Sequence, residues 1–192
     1  MTIDVGTGDG RAVIAAAGDP RTLAIGTDAN AAAMAEVSRR AARSTRKRGV
    51  PNAVFVLAPA EAPPLAFAGI ASLVTIRFPW GSLLRGCLGA EDAVTAGVAS
   101  LVAPDGSLEL LLAPAPKDGI QGLPVEPVEI VRAASHGFHP FGLELVEGRP
   151  ATDAEVRASR STWARRLGAT ASNGGGKDRS VTLVRLTRAG RR

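Results

Sequence analysis

The 192-residue chain holds a single cysteine, Cys87, so neither a disulfide framework nor a cysteine-rich zinc site can be assembled from it. Buried filler is the expected role of that thiol. No uninterrupted apolar run reaches the roughly 18 residues needed to cross a bilayer, and a membrane-spanning role is not expected. A glycine motif begins by residue 6, which leaves no room for the basic region and apolar stretch of a secretory signal. A cytoplasmic protein is expected. Lysine is scarce too: only three of the 23 lysine and arginine residues are lysines, in a chain rich in alanine, glycine and proline. GC-rich codon usage would produce the same skew, so the positions of the arginines say more than their number. There is no internal repeat.

What is present fits an ordinary globular domain, with 45% hydrophobic and 21% charged residues. The length suits one domain of about 100–200 residues, and the net charge of +5 favours an anionic partner such as nucleic acid. Apolar segments alternate with helix-like ones in the manner of βαβ units around a parallel sheet. Strands are expected near Thr2–Val5, Thr22–Gly26, Ala53–Leu57, Ile70–Ile76 and Ser107–Leu112. Helices are expected at Arg11–Ala17, Asn30–Arg48 and Glu91–Val102, the last stopped by the turn Pro104-Asp105-Gly106. Phe141–Glu147 and Val181–Leu186 read as a closing antiparallel pair around a charged helix at Asp153–Leu167, and Ala169–Lys177 as a mobile surface loop. A core strand starting at Met1 has nothing before it to shield its edge, so an N-terminal extension is expected to be missing.

Asp4-Val5-Gly6-Thr7-Gly8-Asp9-Gly10 lies where the first strand turns into the first helix. Gly6 and Gly8 let the backbone bend tightly and approach a ligand. A nicotinamide dinucleotide site is the rival reading, but its G-x-G-x-x-G pattern would need glycine where this chain has Arg11. Asp4 and Asp9 bracket the loop, and two carboxylates suit a ligand carrying an ammonium and a sulfonium better than a pyrophosphate. This points to S-adenosylmethionine. Asp28 ends the second strand about 20 residues after the loop, the usual distance for an acceptor of ribose hydroxyls. Ala60 and Glu61 follow the third strand at the same rim, where Glu61 would help order the loop around the adenine.

Strand four runs into Arg77-Phe78-Pro79-Trp80-Gly81-Ser82-Leu83-Leu84-Arg85-Gly86. The carboxyl ends of the central strands form the ligand crevice of such sheets, which puts Trp80 beside the reactive methyl group. A core aromatic is the competing reading of that residue. Pro79 offers a carbonyl without a competing N–H, which suits accepting a hydrogen bond from an exocyclic amine.

The glycine loop, the segment Phe78–Gly86 and Ser161-Thr162-Trp163-Ala164-Arg165-Arg166-Leu167 together resemble the aminoglycoside-resistance 16S rRNA adenine-N1 methyltransferases of the Kam type. The resemblance spans nearly the whole chain in order. It implies one domain with a doubly wound α/β fold: a seven-stranded Rossmann-like class I methyltransferase sheet, mostly parallel with an antiparallel C-terminal strand. It further implies that Trp80 and Trp163 hold a flipped decoding-site adenine between them, and that Ser161 and Arg166 support the substrate site. The absence of an obvious catalytic dyad agrees, because adenine N1 is unprotonated at neutral pH and needs no strong base.

Arg39, Arg40, Arg43, Arg46, Lys47 and Arg48 crowd the end of the second helix. A solvated helix C-terminus helped by its dipole is one reading. The resemblance gives the other, in which Arg39, Arg40 and Arg43 match positions that contact rRNA backbone. Lys177 and Arg179 would close over the target. His136 and His139 have a metal-binding spacing, but Gly137 and Pro140 argue against a helix there, so no metal is expected. The partner implied is 16S rRNA within the assembled 30S subunit, met by a monomer. Methylation of another RNA or a small molecule, or an inactive S-adenosylmethionine-binding relic, are the alternatives.

Overall fold

A computed structural model of the chain describes residues 1–115, 122–161, 169–170 and 179–190. Seven strands form one sheet: β1 (Thr2–Val5), β2 (Ala24–Asp28), β3 (Ala53–Leu57), β4 (Ala71–Arg77), β5 (Val102–Leu112), β6 (Leu143–Pro150) and β7 (Thr182–Arg188). Their order is β3-β2-β1-β4-β5-β7-β6. The first five are parallel, whereas β7 runs antiparallel to both β5 and β6. Ile3 of β1 and Val74 and Ile76 of β4 are wholly buried, as the centre of a sheet covered on both sides requires. The order reverses between β1 and β4, so the crevice for a ligand opens where Val5 and Arg77 end those strands.

The helices are α1 (Arg11–Ala16), α2 (Ala31–Ala41), α3 (Gly81–Cys87), α4 (Asp92–Leu101), α5 (Pro127–Phe138) and α6 (Asp153–Ala158). Val74, Ile76, Leu108, Leu110 and Leu186 pack with Leu84 of α3, Val98 of α4 and Ile130 and Phe138 of α5 in the main core. Burying each such aliphatic side chain contributes about 1.5–3 kcal/mol. Cys87 sits in this core, and burial pushes its thiol well above the usual range. Val13, Ala17, Ala41 and Ala53 form a separate cluster under α1 and α2, and Phe78, Leu111, Val156 and Leu183 another under α6. Among the described residues, no helix is long and apolar enough to cross a membrane.

Several expectations are corrected. Helices α3 and α5 were hidden by Gly81 and Gly86 in one and by Pro124 before, and Pro127 at the start of, the other. Yet Pro127 occupies the first helical turn, where its missing N–H costs nothing, and Ile130, Ala134 and Phe138 recur every four residues on the buried face. His136 is therefore helical despite Gly137. The helix expected over Asn30–Arg48 stops at Ala41 because the chain folds back, Val50 N–H donating to the Ala41 carbonyl at 2.9 Å. Gly49 is essential to that reversal: a Cβ there would stand 1.7 Å from the Arg43 carbonyl oxygen. Pro104-Asp105-Gly106 is no strand boundary but an irregularity within β5, where the register against β4 shifts and Asp105 takes a φ of 59°. The helix beginning at Asp153 ends at Ala158, and Arg160 at φ 53° turns the chain away. Ala169–Thr170, expected as loop, pairs in parallel with Arg179–Ser180. The rest of the expected loop lies outside the described residues.

Candidate active site

The glycine loop is fixed from behind by β2. The N–H groups of Gly6 and Thr7 both donate to the Thr27 carbonyl, at 2.8 and 3.0 Å. Asp28 completes the clamp: one carboxylate oxygen accepts Gly8 N–H at 2.9 Å, the other Asn30 N–H at 2.8 Å. A carboxylate has about four acceptor positions, so two remain for hydroxyl donors from a ligand. Gly8 has a φ of 55°, and a Cβ built on it meets nothing within 4 Å, so the loop leaves open space on that side.

Asp4 is 6% exposed, buried at the end of β1. Its Oδ1 accepts hydrogen bonds from Thr75 Oγ1 at 2.6 Å and from Arg77 Nη1 at 2.5 Å. Asp4, one of the two carboxylates expected to bracket the loop for a cationic ligand, is thus already ion-paired. The register explains why: Asp4 lies opposite Thr75 on the neighbouring strand, and Arg77 is two residues further on the same face. Thr7, almost fully buried in the loop, has a hydroxyl oxygen with no hydrogen-bond partner among the described residues.

Two cavities meet at this loop. The larger, about 500 Å³, is lined by Val5, Gly6, Gly8, Asp28, Asn30, Ala60, Glu61, Arg77, Pro79, Trp80 and Ser82 among others. That volume lies within the range of small-molecule sites, about 300–1,000 Å³. The smaller, about 30 Å³, lies between the loop and the exit of α6, with Asp4, Thr7, Asp9, Arg77, Ser159, Arg160 and Ser161 in its wall. Every residue expected at the cofactor, namely Asp4, Gly6, Gly8, Asp9, Asp28, Ala60 and Glu61, therefore lines one or both cavities. Asp9 also pairs with Arg11 at 3.2 Å.

Trp80 is no core aromatic. It precedes α3 on the cavity rim with 73% of its surface exposed. Its position depends on Phe78, which is buried at φ 52° and whose N–H donates to the Leu111 carbonyl at 2.8 Å. A bulky residue in left-handed backbone costs on the order of 1–3 kcal/mol, and such strain concentrates at functional sites. Here it turns the chain so that Pro79 and Trp80 overhang the cavity. Ser161 reaches the neighbouring smaller cavity from far along the sequence, its N–H donating to Ser159 Oγ at 3.3 Å. Trp163, Arg166 and Lys177 lie outside the described residues, and of Arg179 the structure describes only its place in the short strand pair.

Arg39, Arg40 and Arg43 are exposed, as are Arg46, Lys47 and Arg48. They do not adjoin the cavities. Asn30 caps α2 at the cavity wall, and the 11 residues of the helix carry the basic end about 16 Å away. Sequence reasoning also missed Arg77, Asn30, Ser82 and Arg160. A cation closing the apolar strand Ala71–Arg77 was a visible signal for the first; nothing marked the others.

Residues 1–179 match the family described as NpmA: 16S rRNA (adenine(1408)-N(1))-methyltransferase. A 16S rRNA (adenine(1408)-N(1))-methyltransferase from Streptoalloteichus hindustanus is 33% identical over 175 residues, covering 87% of this chain and 80% of the relative. Among solved structures, a tryptophan-to-alanine mutant of the 16S rRNA (adenine(1408)-N(1))-methyltransferase from Catenulisporales acidiphilia, with cosubstrate SAM, superposes with a TM-score of 0.83. It shares 31% identity, over 100% of this chain and 86% of that one. The aminoglycoside resistance methyltransferase NpmB1 superposes with a TM-score of 0.75 at 35% identity, covering 98% and 86% of the two chains.

Proposed function

Since the chain belongs to the 16S rRNA (adenine(1408)-N(1))-methyltransferase family, we propose that it methylates N1 of the decoding-site adenine in 16S rRNA of the 30S subunit, using S-adenosylmethionine. The observation that carries this reading is the meeting, in one crevice, of the clamped glycine loop, Asp28 and the overhanging Trp80.

The residues present fit the cofactor. The two remaining acceptor positions of Asp28 suit ribose hydroxyls, the open side of Gly8 admits a chain lying against the backbone, Asp9 and Glu61 place carboxylates around a cationic ligand, and Asp4, paired with Arg77, keeps one oxygen for its ammonium. Ala60 and Glu61 flank the adenine, and Gly6 lets the loop turn. When bound, S-adenosylmethionine supplies a methyl group on a sulfonium, which an unprotonated ring nitrogen can accept without a strong base. The protein's task is then to extract the base, align it and tolerate the positive charge that develops on the ring. Trp80 offers an indole face for stacking and cation–π attraction, with Trp163 as the opposing face. The Pro79 carbonyl accepts from the exocyclic amine, and Ser161, at the exit of α6, supports the target, a role the family resemblance extends to Arg166.

Arg39, Arg40 and Arg43 dock phosphates at a distance from the chemistry, and Lys177 and Arg179 close over the target. A flat RNA-facing surface is best kept open by a monomer acting in the cytoplasm. A methyl group and positive charge on that adenine would block aminoglycoside binding. The direct test is transfer of labelled methyl groups to purified 30S subunits, with reverse transcription locating the modified nucleotide. A stop at the decoding-site adenine is expected. Cofactor binding with no label transferred would overturn the catalytic reading in favour of an inactive relic.

A further inference from the structure

We propose that Arg77 recognises the carboxylate of the cofactor's amino-acid head, so that Arg77 and Asp4 together form a receptor for a zwitterion rather than for a lone ammonium. The inference rests on the S-adenosylmethionine reading of the cavity. Arg77 lines both cavities, and 22% of its side chain is exposed. Its Nη1 is taken up by Asp4 Oδ1 and Thr75 Oγ1, while Nε and Nη2 make no hydrogen bond among the described residues. Asp4 is complementary: Oδ1 is occupied twice and Oδ2 not at all among the described residues. One acceptor thus remains on Asp4 at the smaller cavity and two donor nitrogens on Arg77, which lines both cavities, an ammonium's partner next to a carboxylate's.

Charge balance sharpens the selectivity. The Asp4–Arg77 pair is neutral, so a ligand bringing only an ammonium gains little from Asp4 that Arg77 does not oppose. An α-amino acid head brings both signs, laying its ammonium on Oδ2 and its carboxylate on the guanidinium edge, with charge-assisted hydrogen bonds on both sides. Arg160 in the smaller cavity is the competing cation, but it is exposed and makes no hydrogen bond or ion pair with Asp4 among the described residues.

The test is calorimetric binding of S-adenosylmethionine and its decarboxylated analogue, which keeps the adenosine, sulfonium and amine but lacks the carboxylate. The full chain is compared with Arg77→Gln, Arg77→Lys and Arg160→Gln. The wild-type protein should prefer the carboxylated ligand by about 10–100-fold, the range of one hydrogen bond between charged groups. In Arg77→Gln that preference should fall to within about threefold, with S-adenosylmethionine bound more weakly and the analogue bound at least as tightly as by the wild type, because Asp4 is no longer opposed. Should loss of Asp4's partner prevent Arg77→Gln from folding, Arg77→Lys keeps the cation without the planar fork and should lose most of the preference. A preference retained in the Arg77 variants, or abolished by Arg160→Gln instead, overturns the proposal. A wild-type protein that binds neither ligand would refute the cofactor reading itself, and this inference with it.

Discussion

Replacing Trp80 with alanine separates catalysis from folding unusually well, because the indole is 73% exposed. An indole can bury up to about 250 Å², of which roughly a quarter, some 60 Å², is covered here. At about 25 cal/mol per Å² this amounts to an upper limit of about 1.5 kcal/mol in stability. The catalytic loss should be larger. Stacking of a base on an aromatic ring is worth about 1–3 kcal/mol, and attraction of the developing ring cation adds about 0.5–2 kcal/mol. Together these correspond to a fall of roughly tenfold to a few thousandfold in methyl transfer. The assay is single-turnover transfer to 30S subunits at saturating cofactor, with cofactor affinity measured in parallel by calorimetry. Affinity should change by less than about threefold. Transfer by Trp80→Ala within about threefold of wild type, or a loss of transfer explained by an equal loss of cofactor affinity, would refute the stacking role.

Asp28→Asn should cost one of the two backbone hydrogen bonds that clamp Gly8 and Asn30 and should lower cofactor affinity by about 10–100-fold, because an amide offers a single oxygen where the carboxylate uses two; a destabilised variant with unchanged affinity would show Asp28 to be purely structural. At the start of α6, Thr152 and Glu155 form a capping box, and Thr152→Ala should cost about 1 kcal/mol in denaturant unfolding. Hydrogen bonds from Arg149 and from the Thr152 N–H hold the Glu155 carboxyl down from an ordinary 4.5 to about 2. Its pKa is lower when folded, so its stabilisation is complete above about pH 4.5 and is lost as pH falls toward 2. The stability gap between wild type and Glu155→Gln should close over that window and stay constant above it. Replacing Arg39, Arg40 and Arg43 together by alanine should reduce the slope of log affinity for 30S subunits against log salt by about 2–3, measured by filter binding, if each contacts a phosphate. An unchanged slope would restore the view of a merely solvated helix end.

The parallel half of the sheet was legible because its strands are short apolar runs between turn residues, and Ala53–Leu57 was read to the residue. The fold-back at Gly49 and the irregularity at Asp105 were not, since both depend on close approach to chain that no local pattern reveals. The same holds at the site. Gly6, Gly8 and Asp28 could be located by spacing alone, because strand, turn and helix fix their mutual positions. The pairing of Asp4 with Arg77 could not: the two are 73 residues apart, and only the β1–β4 register brings them together. Nor could the strain at Phe78, a property of backbone angles chosen by tertiary contacts.

Strand β7 follows β6 in the sequence yet lies between β5 and β6. During synthesis, therefore, β6 emerges with no neighbour to join, and β5 keeps an open edge until Thr182–Arg188 arrives to fill the gap. Nascent chains would carry unpaired edges on both β5 and β6 through that interval, a state prone to wrong pairing with other chains. The stretch of polypeptide between β6 and β7 sets how long the interval lasts. Slowing translation there should lower the yield of folded protein even though no residue of the finished molecule has changed.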